Sequence, residues 1–233
     1  MSEKDITTVG LNERLNKLRA GVLGANDGIV STAAVVLGVA GATPDVSAIA
    51  TAGIAAVIGG AVSMALGEYV SVSSQRDTER AYVKRETALH QKDPDEEFKH
   101  LVRGYMLQGL SEDTATRVAQ EHTATNPLKA HLAMHYGIDE EDIVNPWTAA
   151  IASFVAFFIG ALLPLAAVLV PPDPARVPVT FVVTLGALAA TGAASAKIGG
   201  ADIARAVFRL LVGGTLGLAA TYGIGYIFGA TAL

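Results

Sequence analysis

The chain has no cysteine, so it can hold no disulfide, thiolate metal site or cysteine nucleophile. Charge is also scarce. Charged residues make up 17% of the 233 residues and hydrophobic residues 51%, with a mean hydropathy of +0.42, whereas a soluble domain carries about a quarter charged residues. There is no surplus of positive charge: the formal net charge is -5, which excludes the basic surface that a nucleic-acid binder needs. No glycine loop of the phosphate-binding kind occurs in the polar part of the chain, so direct use of ATP is not expected. No nucleophile, base and orienting group stand out as a set, so the chain is not expected to be an enzyme.

The few charges are gathered in one place. Residues 76–145 hold nine Lys or Arg and fourteen Asp or Glu, against 17 and 22 in the whole chain. The remainder is neutral and very apolar. Within it, five stretches reach the roughly 20 apolar residues that span a bilayer: Ala20 to Ala42, Val46 to Gly67, a third within Ile143 to Val170, a fourth within Val177 to Ala196, and a fifth from Leu210 onward. They lack a polar face, which argues against buried helices of a soluble fold, and they are too long and too rich in Ala, Gly and Leu for strands. The N-terminus is polar up to Arg19, so the first run is expected to be retained as a membrane segment.

Basic residues set the expected orientation. Lys4, Arg14, Lys17 and Arg19 precede the first span, and the segment after the second is rich in bases. Lys197, Arg205 and Arg209 lie between the fourth and fifth. The loop at Thr43 to Ser47 has none, and that at Pro171 to Pro178 has only Arg176. This alternation fits five crossings with the N-terminus and the polar insert in the cytoplasm. The insert itself reads as short helices: Gln75 to Gln91 continuing the second span, Pro94 to about Gly109, one opened by Ser111, and Pro127 to Tyr136 ending at Gly137. Gly24-x3-Gly28, Gly213-x3-Gly217 and Gly225-x3-Gly229 have helix-contact spacing and suit a tightly packed bundle or dimer. Pro164 is expected to kink the third span.

Three groups of residues could carry chemistry. Asp27 is a carboxylate inside a membrane span, where a charge costs a few kcal/mol or more and usually faces a pathway; the alternative is that Asn26-Asp27-Gly28 is a structural break. Met64 and Glu68, four apart, share a helix face. A thioether beside a carboxylate suits a borderline ion such as Fe2+ better than Mg2+ or Ca2+, although a lone Met in such a helix is more often packing. All five histidines fall in the insert. Glu86 with His90, Glu97 with His100, and His131 with His135 have helical i,i+3 or i,i+4 spacing, so each pair could chelate from one side. Imidazole and carboxylate ligands suit Fe, Mn, Zn or Ni. The plainer reading of any one pair is a solvated surface; His122 has no partner and reads as surface.

Leu18-Arg19-Ala20-Gly21-Val22-Leu23-Gly24-Ala25-Asn26-Asp27-Gly28 resembles the first-helix motif of the vacuolar iron transporter family. Ser63-Met64-Ala65-Leu66-Gly67-Glu68-Tyr69, followed by Ser71 to Asp77, resembles its second-helix motif. Lys84-Arg85-Glu86 and Asp93-Pro94-Asp95-Glu96-Glu97 resemble the start of its cytoplasmic metal-binding domain. The resemblance implies a homodimer that exports Fe2+, and possibly Mn2+, from the cytoplasm in exchange for protons. It implies that residues at the positions of Asp27 and Met64 contact the ion, and that Glu and Met side chains of the insert collect it. The chain departs from the pattern at Leu89 and His100, where acids are usual, at Ala56 in the membrane, and at His131, Met134 and His135 in the last insert helix.

The expected fold is therefore an all-α integral membrane protein with five transmembrane helices and a cytoplasmic helical metal-binding insert between the second and third. Residues 1–75 carry the first two spans, 76–145 the insert, and 146–233 the last three. The expected activity is proton-coupled export of a divalent metal, with a membrane-anchored metal sensor or buffer as the alternative. No cofactor is expected. Fe2+, Mn2+, Zn2+ and Co2+ are not ranked by the sequence, and a bacterial inner membrane is the default location.

Overall fold

A computed structural model describes residues 11–138 and 145–231, with side chains from residue 19 onward. Lys4, the side chains of Arg14 and Lys17, and the start of the third span at Ile143 lie outside the described residues. The described residues form helices and contain no strand. Five helices are long and apolar enough to cross a membrane: α1 (Leu11–Ala42), α2 (Val46–Lys92), α6 (Pro146–Leu169), α7 (Arg176–Gly199) and α8 (Ile203–Thr231). Between α2 and α6 in sequence lie α3 (Pro94–Leu107), α4 (Glu112–Thr125) and α5 (Pro127–His131), the last running into a π turn at Leu132–Tyr136. The chain divides into two compact units, Ser71–Asn145 and Arg14–Val70 with Pro146–Leu233.

In the second of these units α1 is the central element. Its Ala33 and Leu37 pack with Leu218 of α8, and its Val36 packs with Ile49 of α2 and Val168 of α6. Glycines set how closely its neighbours approach. A Cβ on Gly24 or Gly28 would strike the α6 backbone at Ser153 and Phe157, and one on Gly225 or Gly229 would strike the α1 backbone at Gly38 and Ala42. Two of the three Gly-x3-Gly motifs are thus helix contacts inside the chain. The third is not: Gly213 and Gly217 meet nothing within 4 Å, and Gly214 takes the contact with Leu188 instead. Large apolar side chains such as Ile58, Leu66, Ile159 and Phe228 face outward, as lipid-facing helices require and soluble ones avoid.

One boundary differs from the sequence expectation. The α8 helix starts at Ile203, not Leu210, with the Asp202 carboxylate accepting from the Arg205 amide at 2.7 Å. Arg205 and Arg209 therefore sit on the first turns of α8 rather than in a loop. Two cations four residues apart lower the local hydropathy without disfavouring a helix, so a count of apolar residues starts late. The 47 residues of α2 run unbroken through both motifs of its sequence. At 1.5 Å per residue it is about 70 Å long, more than twice the hydrocarbon thickness of roughly 30 Å.

The Ser71–Asn145 unit is built by capped short helices around Leu101, Ala119 and Ala130. The Asp93 side chain accepts from the Glu96 amide at 3.0 Å and Pro94 follows at the first helical position. Ser111 caps α4 through the Thr114 amide, and Asn126 caps α5 through the Lys129 amide at 3.0 Å. Each cap stabilises its helix by about 1 kcal/mol. Gly137, at φ 65°, takes the left-handed conformation that closes the π turn.

Candidate metal centres

The first site lies in the membrane-spanning unit. Asp27, Met64 and Glu68 line one open cavity of about 440 Å³ between α1 and α2, with Ser31 and Ser63 beside them. Helical spacing explains the set. Asp27 and Ser31 are one turn apart on α1, and the Ser31 hydroxyl donates to Asp27 Oδ1 at 2.5 Å. Ser63, Met64, Gly67 and Glu68 form the facing stripe of α2. Met64 is half-buried against Val57, Ala61, Phe157 and Ala161, so one side of it packs while the cavity takes the other. The Glu68 side chain is 12% exposed, with Arg19 Nη2 at 3.9 Å from its Oε1. Asn26 turns the other way, and its side-chain Oδ1 accepts from the Thr191 hydroxyl of α7 at 2.6 Å. The α1 helix continues through Asn26-Asp27-Gly28 without interruption, so this motif is not a structural break.

The second site lies in the Ser71–Asn145 unit. Glu86 of α2, Glu97 of α3 and His131 of α5 are 3%, 6% and 1% exposed, and one ligand atom from each lies within 4.8 Å of the others. His131 Nδ1 is 3.6 Å from Glu86 Oε2 and 3.4 Å from Glu97 Oε2. Two of these atoms, Glu86 Oε2 and His131 Nδ1, are buried with no hydrogen-bond partner. Buried polar atoms are nearly always paired, and two buried carboxylates facing an imidazole call for a cation. Tyr136 holds the other Glu86 oxygen with a 2.8 Å hydrogen bond from its hydroxyl, which aims the carboxylate as outer partners of metal ligands do.

The remaining predicted histidines surround this centre. The His90 ring stands edge-on to His131 at 4.4 Å, with Nδ1 2.9 Å from the Glu86 carbonyl oxygen, and the His135 ring is 5.3 Å from His131. His100 lies outside, 3.9 Å from Glu97 Oε1 and 3.6 Å from Glu96 Oε1. The convergence is thus across helices: the three buried ligand atoms come from three different helices, where the sequence suggested chelation by neighbours on one helix. His122 is exposed and stacks on Tyr105.

Burial, with His90 and His135 nearby, pushes the His131 imidazole down to about 4, so it is neutral at pH 7 and offers a lone pair. The carboxylate of Glu86 acts in the opposite direction and is outweighed. A folded state that resists protonation loses stability as pH falls from the unfolded value of about 6.5 towards 4. With chelator present, amide exchange in α3 to α5, corrected for its intrinsic pH dependence, should therefore speed up between pH 7 and pH 5. His131→Gln should remove that dependence; an equal slope in both proteins would contradict the assignment.

Five membrane-length helices make this a multi-pass membrane protein; two carboxylates and a thioether line a groove between two of them, and the buried Glu86, Glu97 and His131 could hold a metal ion. The sequence profile of the VIT family matches residues 18–226. The chain is 37% identical over 211 residues to a protein named vacuolar iron transporter from Acanthamoeba castellanii, covering 90% of this chain and 78% of that one. It is 37% identical over 217 residues to vacuolar iron transporter homolog 1 of Oryza sativa subsp. japonica (93% and 75% covered), and 33% identical over 222 residues to homolog 2.1 of Arabidopsis thaliana (95% and 85%). The chain belongs to the VIT family. These relatives come from an amoeba and two plants, and lend no support to the bacterial inner membrane expected from the sequence.

Two residues at these sites escaped the sequence reading. Ser31 carries a signal, since it lies four residues after Asp27. Tyr136 carries none, because the π turn that aims it at Glu86 is not visible in a residue pattern.

Proposed function

We propose that this protein carries Fe2+, and Mn2+ as a second substrate, from the cytoplasm across the membrane in exchange for protons. The observation that carries the reading is the meeting of Asp27, Met64 and Glu68 in one groove of the membrane-spanning unit. A plain anchor has no use for two intramembrane acids. Oxygen and thioether donors together suit a borderline divalent ion. When the ion leaves, the carboxylates can take protons, and this exchange couples the two fluxes. Glu86, Glu97 and His131 collect the ion on the cytoplasmic side, with His90, His100 and His135 around them. The distribution of Lys and Arg supports a cytoplasmic N-terminus and insert. In this reading the chain has no catalytic role and no cofactor; Zn2+ and Co2+ compete as ligands, and the ion is the cargo. A membrane-anchored sensor would keep the buried Glu–Glu–His centre but leave the groove without a purpose.

The protein works as a homodimer in this reading. Asp27 is exposed on the single chain although it lies about 12 Å along a membrane span, where lipid contact is costly. A second copy laid over the α1–α2 groove would cover it. The absence of cysteine makes this testable, because Leu23→Cys introduces the one thiol in the chain. Leu23 is exposed and lines the groove. Oxidation of that variant in membranes should give a covalent dimer, whereas a cysteine in place of the outward-facing Phe228 should not. Equal cross-linking of both would remove the support.

The transport reading is tested with protein in liposomes and a quenched metal-sensing dye inside. Fe2+ entry should depend on an imposed pH gradient. Folded protein that shows no flux of Fe2+ or Mn2+ under any gradient would leave the sensor reading in its place.

A further inference from the structure

Where α1 passes to α2 and α6 passes to α7, the membrane-spanning unit holds another open cavity of about 440 Å³, with Thr43, Asp173, Arg176, Tyr222 and Tyr226 in its lining. Arg176 opens α7 and is 6% exposed, the one charged side chain buried among the described residues of this unit. A charge held away from water without a partner is strongly destabilising, and an arginine has five N–H donors to satisfy. Its pairing here is incomplete. Asp173 Oδ2 lies 3.5 Å from Nη1, too far for a good hydrogen bond, and that carboxylate is 59% exposed. The Arg176 Nε is buried with no hydrogen-bond partner.

The surroundings share the sign of the guanidinium. No side chain caps α7 and no acid stands in its first turn, so nothing there offsets the partial positive charge of its N-terminus. Tyr222 and Tyr226, one turn apart on α8, bring phenol groups to the wall. The Thr43 hydroxyl accepts from the Asp45 amide at 3.2 Å and keeps its own proton to donate. Of the lining residues Asp173 alone is acidic. Asp45, the acid of the α1–α2 turn, does not line the cavity, and its Oδ1 accepts from the Ser47 amide at 2.9 Å. A cation entering would meet the guanidinium and the helix N-terminus. A neutral apolar group would leave the guanidinium as poorly paired as before. A phosphate group has oxygens enough for the guanidinium fork, the helix N-terminus and the hydroxyls together.

We infer that this cavity binds a phosphate group, held by Arg176, the N-terminus of α7 and the hydroxyls of Thr43, Tyr222 and Tyr226, with Asp173 as the internal anion that the ligand displaces. Tyrosine and arginine at the ends of membrane helices sit at headgroup level, so a lipid headgroup and free phosphate present the same chemistry to the site. Once bound, the group ties the end of α1, the start of α7 and α8 to one another. The inference concerns binding and does not rest on the transport reading.

The test uses the full chain, purified in detergent until its lipid phosphorus is constant. One arm adds inorganic phosphate and measures binding by equilibrium dialysis. The other adds short-chain phosphatidylglycerol, counted on the protein by native mass spectrometry, with a galactolipid that has no phosphate as control. One equivalent of either phosphate-bearing probe should bind per chain and raise the melting temperature, and the galactolipid should do neither. Binding of the lipid alone assigns the site to a headgroup, binding of inorganic phosphate alone assigns it to the free ion, and competition between them shows one shared site. Arg176→Gln should weaken binding by about tenfold or more. Two variants at exposed positions keep the test standing should that protein fail to fold. Asp173→Asn removes the competing carboxylate and should tighten binding severalfold; were Arg176 and Asp173 only a structural ion pair, it would lower the melting temperature and leave binding unchanged. Tyr226→Phe removes one hydroxyl and should weaken binding a few-fold. The inference is overturned if neither probe binds folded wild-type protein, or if affinity is the same in wild type, Asp173→Asn and Tyr226→Phe. Loss of Fe2+ flux with these binding results intact would count against transport and not against this site.

Discussion

Asp27→Asn should reduce Fe2+ flux to the background of protein-free liposomes while leaving the protein folded. Asparagine has the size and hydrogen-bonding oxygen of aspartate, so Ser31 can still donate to it as it does to Asp27 Oδ1, and α1 keeps its packing. What disappears is one of the two negative charges in the groove. The other, Glu68, already has Arg19 at 3.9 Å. A divalent ion must shed water to enter, and an almost neutral groove does not compensate for that loss. Removing one partner of a desolvated charge pair costs about 2–5 kcal/mol, and the middle of that range is more than a hundredfold in rate or affinity. Ser31→Ala is the comparison: it keeps the charge and loses only one hydrogen bond, so flux should fall by a few-fold. Normal gradient-driven flux in folded Asp27→Asn protein would remove α1 from the ion path.

The parts of this protein that were legible in its sequence are those where one local rule suffices. Asp27 stood out because nothing else ionisable follows Arg19 in α1, and Met64 and Glu68 because four residues is one helical turn. The insert helices were legible from their punctuation: Pro94, Ser111, Pro127 and Gly137 open or close helices in the structure, where Asp93 and Asn126 add caps that the sequence reading did not name. The meeting of Glu86, Glu97 and His131 was not legible. Their spacing along the chain is 11 and 34 residues, and only the packing of α3 and α5 about Leu101 and Ala130 brings them together. Spacing rules instead paired each with its neighbour on the same helix. The glycine motifs mark the same limit. Gly213-x3-Gly217 reads like Gly225-x3-Gly229, yet one is open and the other lies against α1, because the spacing says which residues share a face and not what that face meets.

That difference gives the largest expected effect on the fold. Gly225→Val should abolish the folded state, and Gly213→Val should leave it intact. At Gly225 a Cβ would fall on the Gly38 carbonyl, which is backbone and cannot rotate away as a side chain could. The helices would have to separate, and the same movement would open the neighbouring contacts of Gly229 with Ala42 and of Leu218 with Leu37. In a bilayer no hydrophobic force rejoins helices held a little apart, because lipid tails serve as well as leucine; close contact between small residues is what holds them. Overpacking costs of about 1–3 kcal/mol in ordinary cores are therefore a lower bound here, and total stability is only about 5–15 kcal/mol. Valine at Gly213 meets open space and is β-branched in the same way, so it controls for propensity. Size-exclusion profiles and melting temperatures in mild detergent separate the two variants. Since α1 carries Asp27 and is positioned by α8 on this side and by α6 through Gly24 and Gly28 on the other, the milder Gly225→Ala should lose flux at temperatures where the protein is still folded. A Gly225→Val protein as stable as wild type would mean that α8 does not fix α1, and that the groove must be positioned by α2 and α6 alone.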